Sequence, residues 1–170
     1  MSNRLRAFSR SLAIAAVVVS VVAISRGAAA QATAPSPRTG TWKLNLEKSR
    51  FAPDPGPRSQ TRRDEHTRDG LTAVVEGVLA NGSPISYRYD PRFDGKDYPI
   101  VGTGIPSGGE TIAVKHIDEF TVESTLKKAG VVVLSRIEVV SKDGRVLTIT
   151  SQGKTAAGQP TSNMTVYDKQ

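Results

Sequence analysis

Turn-forming residues punctuate this chain roughly every dozen positions. They are Asp69-Gly70, Asn81-Gly82, Asp94-Gly95, Gly108-Gly109, Asp118-Glu119, Gly130, Asp143-Gly144 and Gly158. Asn-Gly and Asp-Gly tolerate the positive φ of two-residue hairpin turns, and the stretches between them are rich in Val, Ile, Thr and Tyr, which suit pleated backbone. Within those stretches the pattern has a period of two: Ile85, Tyr87 and Tyr89 oppose Ser86, Arg88 and Asp90, and Phe120, Val122, Ser124 and Leu126 oppose Thr121, Glu123, Thr125 and Lys127. The run over 131–141 is apolar on both faces, as expected of a strand packed between layers. After the N-terminal region no segment of ten or more residues has helical periodicity. Nine or ten strands are predicted. Consecutive hairpins leave exposed edges at the first and last strands unless these pair, and closing the sheet removes both. The predicted fold class is therefore all-β, an antiparallel up-and-down β-barrel of eight to ten strands.

The N-terminus reads differently. Arg4, Arg6 and Arg10 precede an apolar run from Leu12 to Ile24, and small residues follow at Ala28, Ala29, Ala30 and Ala32. That is the layout of a secretory signal peptide, and the apolar run falls short of the roughly 20 residues that span a bilayer. Residues 1–32 are predicted as the signal peptide, with cleavage after Ala30 or Ala32. Residues 33–39 carry two prolines and no large apolar side chain, which predicts a disordered tether. Residues 40–170 then form a single barrel domain, exported to the periplasm or the extracellular space, with no membrane span in the mature protein.

Charge follows from the same division. The formal net charge of +7 falls to +3 when residues 1–32 are removed, because that segment holds four arginines and no acidic residue. The basic balance is thus mostly a targeting signal, and a nucleic-acid partner, which wants a basic patch interleaved with stacking aromatics, is not expected. An outer-membrane barrel would need aromatic girdles that this composition lacks. With no cysteine, the domain must hold itself together by its core alone.

At Gly40-Thr41-Trp42 the chain resembles the opening of lipocalins and intracellular fatty-acid-binding proteins, the calycin group, whose first strand begins with Gly-x-Trp. Trp42-Lys43-Leu44-Asn45, Asp94-Gly95-Lys96-Asp97-Tyr98-Pro99, Ser141-Lys142-Asp143-Gly144 and Tyr167-Asp168-Lys169 also resemble strings in small secreted bacterial proteins of unassigned function. The resemblance implies a lipocalin-like barrel with Trp42 plugging one end. Two departures stand out: three prolines over 52–57 leave no room for a helical lid, and the paired lipocalin disulfides have no counterpart.

Candidate site residues come from polar groups on barrel strands. Arg62, Asp64, His66 and Arg68 share one face of a strand whose other face is also polar, so one set must look inward. An inward Arg62 or Arg63 could hold a carboxylate or phosphate by a bidentate contact; a solvated edge is the other reading. Arg136 lies in an apolar strand, where a lone buried charge would cost several kcal/mol. Either Glu138 on the same face pairs with it or that face is outward, and an inward Arg136 would anchor a ligand. Tyr87 and Tyr89 offer an apolar wall with polar tips, fitting a pocket or a plain core. His66 and His116 are the only histidines, and no catalytic motif string occurs. A zinc site built on them with Asp64 or Glu65 would lack the usual ligand spacing.

The expected function is binding of a small, partly apolar or amphipathic ligand in the barrel interior, by Arg62, His66, Tyr87, Tyr89 and Arg136, in a monomer without cofactor. The alternatives are a filled barrel acting through its surface in the envelope, and a hydrolytic or metal-dependent enzyme at the barrel mouth using His66.

Overall fold

The computed structural model describes residues 36–155 and 158–170. The expected signal peptide and the first residues of the expected tether lie outside them. The described chain is all-β apart from one 3-10 turn at Pro106–Gly108. Its strands are β1 (Gly40–Leu44), β2 (Ser59–His66), β3 (Leu71–Val78), β4 (Pro84–Tyr89), β5 (Tyr98–Pro99), β6 (Val101–Thr103), β7 (Thr111–His116), β8 (Thr121–Lys128), β9 (Val131–Val140), β10 (Val146–Lys154) and β11 (Pro160–Lys169).

All belong to one antiparallel sheet in the order β5-β7-β8-β9-β10-β11-β1-β2-β3-β4-β6. The first and last strands of the chain pair, Trp42 opposite Lys169 and Leu44 opposite Tyr167. The two strands at the ends of that order, β5 and β6, are separated in sequence only by Ile100. One extended segment therefore reaches β7 with its first half and β4 with its second, and draws the sheet into a nearly closed barrel. The strand number is 11, not eight to ten, because this closing segment is too short and irregular to show a period yet contributes two strands.

Side chains alternate in and out. Inward Ile85, Tyr87 and Tyr89 join Ala73, Val75, Val114, Val122 and Leu126 in one apolar cluster. A second gathers Trp42, Val140, Leu147, Ile149 and Tyr167. Trp42 is fully buried, donates from Nε1 to the Arg38 carbonyl at 3.1 Å, and has the Lys169 ammonium 4.9 Å from its ring centre. Residues 36–39, the described part of the stretch expected as a tether, are built into this end of the barrel: Arg38 is 1 % exposed, and the Pro37 carbonyl accepts from Lys169 Nζ at 3.0 Å.

β9 departs from its sequence reading. Ile137 and Val139 face solvent, at 53 % and 41 % exposure, while Arg136 and Glu138 point inward. Nothing described covers its outer face, so β9 is not packed between layers. The charged pair takes the interior because partners on β2 and at residue 38 meet it there.

Candidate functional site

A cavity of about 320 Å³ opens at the end of the barrel opposite Trp42. Its position follows from register. Along β9, Leu134 and Arg136 line it but Glu138 does not, and along β2, Gln60 and Arg62 line it but Asp64 does not. Val75, Leu79, Ile85, Ile105, Leu134 and Ile149 make the apolar wall. Across the mouth lie the proline loop at 51–57 and the turn at 104–107. The loop is tied down by Ala52 N donating to Asn163 Oδ1 at 3.0 Å and by Ser162 N donating to the Ala52 carbonyl at 3.1 Å. Phe51 lies so close over Gly56 that a Cβ there would meet its ring at 2.3 Å.

The floor is charged. Arg62 Nε lies 2.9 Å from Asp64 Oδ2, and its Nη2 reaches Glu138 Oε2 at 3.3 Å and the Tyr89 hydroxyl at 3.4 Å. Arg38 Nη2 sits 3.4 Å from the same Glu138 oxygen, while its Nη1 donates to the carbonyls of Phe120 at 2.8 Å and Glu138 at 3.0 Å. Arg136 Nε donates to Ser124 Oγ at 3.3 Å and stands 4.0 Å from Glu138 Oε1. Among the described residues no hydrogen bond engages either Nη of Arg136, and neither nitrogen is sealed off from solvent. Tyr167 donates to Gln60 Oε1 beside them, with the Arg62 guanidinium 6.0 Å from its ring centre.

These groups perturb one another. Burial pushes the Glu138 carboxyl up, but Arg62, Arg136 and Arg38 outweigh it and hold it at about 2. Burial raises Asp64 despite the Arg62 guanidinium beside it, and raises the Tyr87, Tyr89 and Tyr167 hydroxyls. Three guanidiniums thus face two carboxylates in a low-dielectric interior, an excess of one positive charge. An uncompensated buried charge is costly, and the cavity lies beside Arg136.

Of the residues expected at a ligand site, Arg62, Tyr87 and Arg136 line the cavity, and Tyr89 lies behind Arg62 as its hydrogen-bond partner. His66 does not join them. It is half-buried, its ring 6.0 Å from Phe93, whose other neighbour is His116 at 5.3 Å. Its Nε2 is buried with no hydrogen-bond partner among the described residues, and burial, followed by the charge of Arg38, lowers its pKa from 6.5 to about 3. Among the described residues no group of three or more His, Cys, Asp or Glu is placed to hold a metal ion, and no helix is long and apolar enough to cross a membrane.

Sequence reasoning missed Arg38, Gln60, Ser124 and Tyr167. Only the shared face of Gln60 with Arg62, and that of Ser124 with Val122 and Leu126, pointed to any of them. The fold and site together define a nearly closed antiparallel barrel with a cavity at one end and a buried arginine–carboxylate network beneath it. No protein-family model matches the chain, and neither a curated protein nor a solved structure is significantly similar to it.

Proposed function

We propose that the protein is an exported, lipocalin-like carrier that binds a small, partly apolar molecule with an acidic head group inside the barrel. The observation that carries this reading is the cavity of about 320 Å³ with Arg136 at its floor, two of its guanidinium nitrogens without a hydrogen-bond partner among the described residues. Its volume falls within the roughly 300–1,000 Å³ of small-molecule sites, and apolar walls with a few convergent polar groups are their usual make-up. A carboxylate against the Nη pair of Arg136 would form charge-assisted hydrogen bonds and neutralise the excess interior charge. Natively purified mature protein is expected to release a reproducible small acid on extraction and mass spectrometry. In vitro, Arg136→Gln is expected to weaken octanoate at least about tenfold while the far-ultraviolet spectrum is retained. An empty extract together with unchanged octanoate binding in the variant would count against the proposal.

The filled-barrel alternative keeps one observation in its favour, the uncovered Ile137 and Val139 on β9, but the cavity answers its main requirement of a packed interior. Neither His66 nor His116 lines the cavity, so the acid–base reading has no imidazole there.

A further inference from the structure

We infer that Arg38, which lies outside the cavity and cannot touch a ligand in it, sets the preference of that cavity for anions by holding part of the Glu138 charge. The inference rests on the carrier reading above and assigns its selectivity to a residue at the opposite end of the barrel.

The geometry of Glu138 is the argument. Its Oε2 is shared between Arg38 Nη2 at 3.4 Å and Arg62 Nη2 at 3.3 Å. Its Oε1 accepts from Ser124 Oγ at 3.4 Å and lies 4.0 Å from Arg136 Nε. The carboxylate is thus drawn toward Arg38 and Arg62 and meets Arg136 only at the limit of an ion pair. Arg62 is satisfied a second time by Asp64. Arg136 is therefore the guanidinium left short of negative charge, and it lines the cavity beside the doubly paired Arg62.

Take Arg38 away and the interior holds two guanidiniums and two carboxylates. Asp64 serves Arg62, Glu138 is released toward Arg136, and the incentive to admit an anion disappears. Arg38 keeps that from happening from a fixed position. Its Nη1 is held by the Phe120 and Glu138 carbonyls, its own carbonyl accepts from Trp42, and Thr39 Oγ1 accepts from the His66 backbone N–H at 3.0 Å. A mere plug beside Trp42 would be apolar. Arg38 instead buries a cation whose Nε has no hydrogen-bond partner among the described residues, and the acidic side chain it reaches there is Glu138. Arg38 is accordingly a positioning residue for the charge balance of the cavity.

The test compares two ligands of matching chain, octanoate and octanol, by displacement of the neutral fluorophore N-phenyl-1-naphthylamine from the mature protein at neutral pH. Wild type is expected to prefer octanoate. Arg38→Gln is expected to lower the octanoate-to-octanol affinity ratio about tenfold, within the usual range of coupling between sites, with octanol affinity little changed. Arg38→Lys, which keeps the charge, is expected to retain most of the preference. An Arg38→Gln protein that folds and keeps the wild-type ratio, or that loses both ligands equally, overturns the inference. Should that variant fail to fold, Glu138→Gln carries the test: removing the negative charge is expected to raise the octanoate preference, and an unchanged or lower ratio overturns the inference. Displacement by both ligands with equal strength in wild type leaves carriage of a small apolar molecule standing without its acidic head group and sinks this inference; displacement by neither sinks both.

Discussion

His66 shows at the scale of one side chain how the buried charges set the response to acid. Its imidazole is kept neutral in the fold, first by burial and then by the nearby Arg38 cation, with a pKa of about 3 against an ordinary 6.5. Between those values the unfolded chain binds a proton that the native state refuses. The stability tied to the neutral ring is therefore complete above about pH 6.5 and falls as pH drops toward 3. Asp64, whose carboxyl is raised by burial, works in the opposite sense from its ordinary 3.8 upward, so the imidazole is isolated by comparing variants and not by one curve. The midpoint of urea unfolding is expected to fall between about pH 7.5 and 5 in wild type, and His66→Phe, which keeps the stack on Phe93, is expected to flatten that fall. Equal slopes in the two proteins would show that His66 does not titrate on unfolding. Little of this was legible beforehand. The alternation over β2 placed Arg62, Asp64 and His66 on one face, yet gave no sign that Arg62 bridges Asp64 and Glu138 while His66 stacks elsewhere.

Strands are where the sequence spoke most clearly, and where it also misled. The turn dipeptides were legible because few residues accept positive φ, and hairpins fall at all of them but Asp94-Gly95 and Gly108-Gly109, which flank the closing segment whose strands pair with β7 and β4. Which face of a strand looks inward is another matter, since a period of two defines two faces without ranking them. On β9 the apolar set Ile137 and Val139 lost the interior to Arg136 and Glu138, whose partners lie at residues 38, 62 and 124, too far along the chain for any local pattern. Close strand approach is a further element-level constraint that periodicity hides. At Gly77 of β3 a Cβ would stand 2.2 Å from the Ser59 carbonyl of β2, a backbone atom fixed by the ladder between them. At Gly130, in the β8–β9 turn with φ of +77°, a Cβ would meet nothing within 4 Å. Gly77→Ala is therefore expected to cost roughly 1–3 kcal/mol from forced backbone shifts, and Gly130→Ala about 1 kcal/mol from strain alone. Urea unfolding of the two variants gives the order. If Gly130→Ala proves the more damaging, the ladder yields more readily than its geometry implies.

The whole molecule depends on one short segment. Most of the sheet is built from hairpins and the β1–β11 pairing, but the last seam is bridged by residues 98–103, three of which pair with β4 as Ser86–Thr103, Tyr87–Gly102 and Arg88–Val101. Gly102 allows this approach: its φ is +135°, and a Cβ would lie 2.0 Å from the Ser86 carbonyl and 2.5 Å from the Tyr87 Cα. No side chain fits there without parting the two strands. The chain leaving β6 runs directly into Gly104 and Ile105 at the cavity mouth, and Tyr87 on the facing strand lines the wall, so the seam and the cavity share their frame. Gly102→Val is expected to separate β6 from β4 while the remaining ladders persist. Far-ultraviolet circular dichroism should stay that of a β protein, the thermal midpoint should drop by more than about 5 °C, and N-phenyl-1-naphthylamine should bind at least about tenfold more weakly because one wall of its site has moved. Amide exchange would locate the change, with protection lost along 86–88 and 101–103 and kept along β8 to β10. A variant that melts like wild type and binds the probe as well would mean that the cavity is shaped by the hairpins alone, and that closure of the barrel is incidental to what it holds.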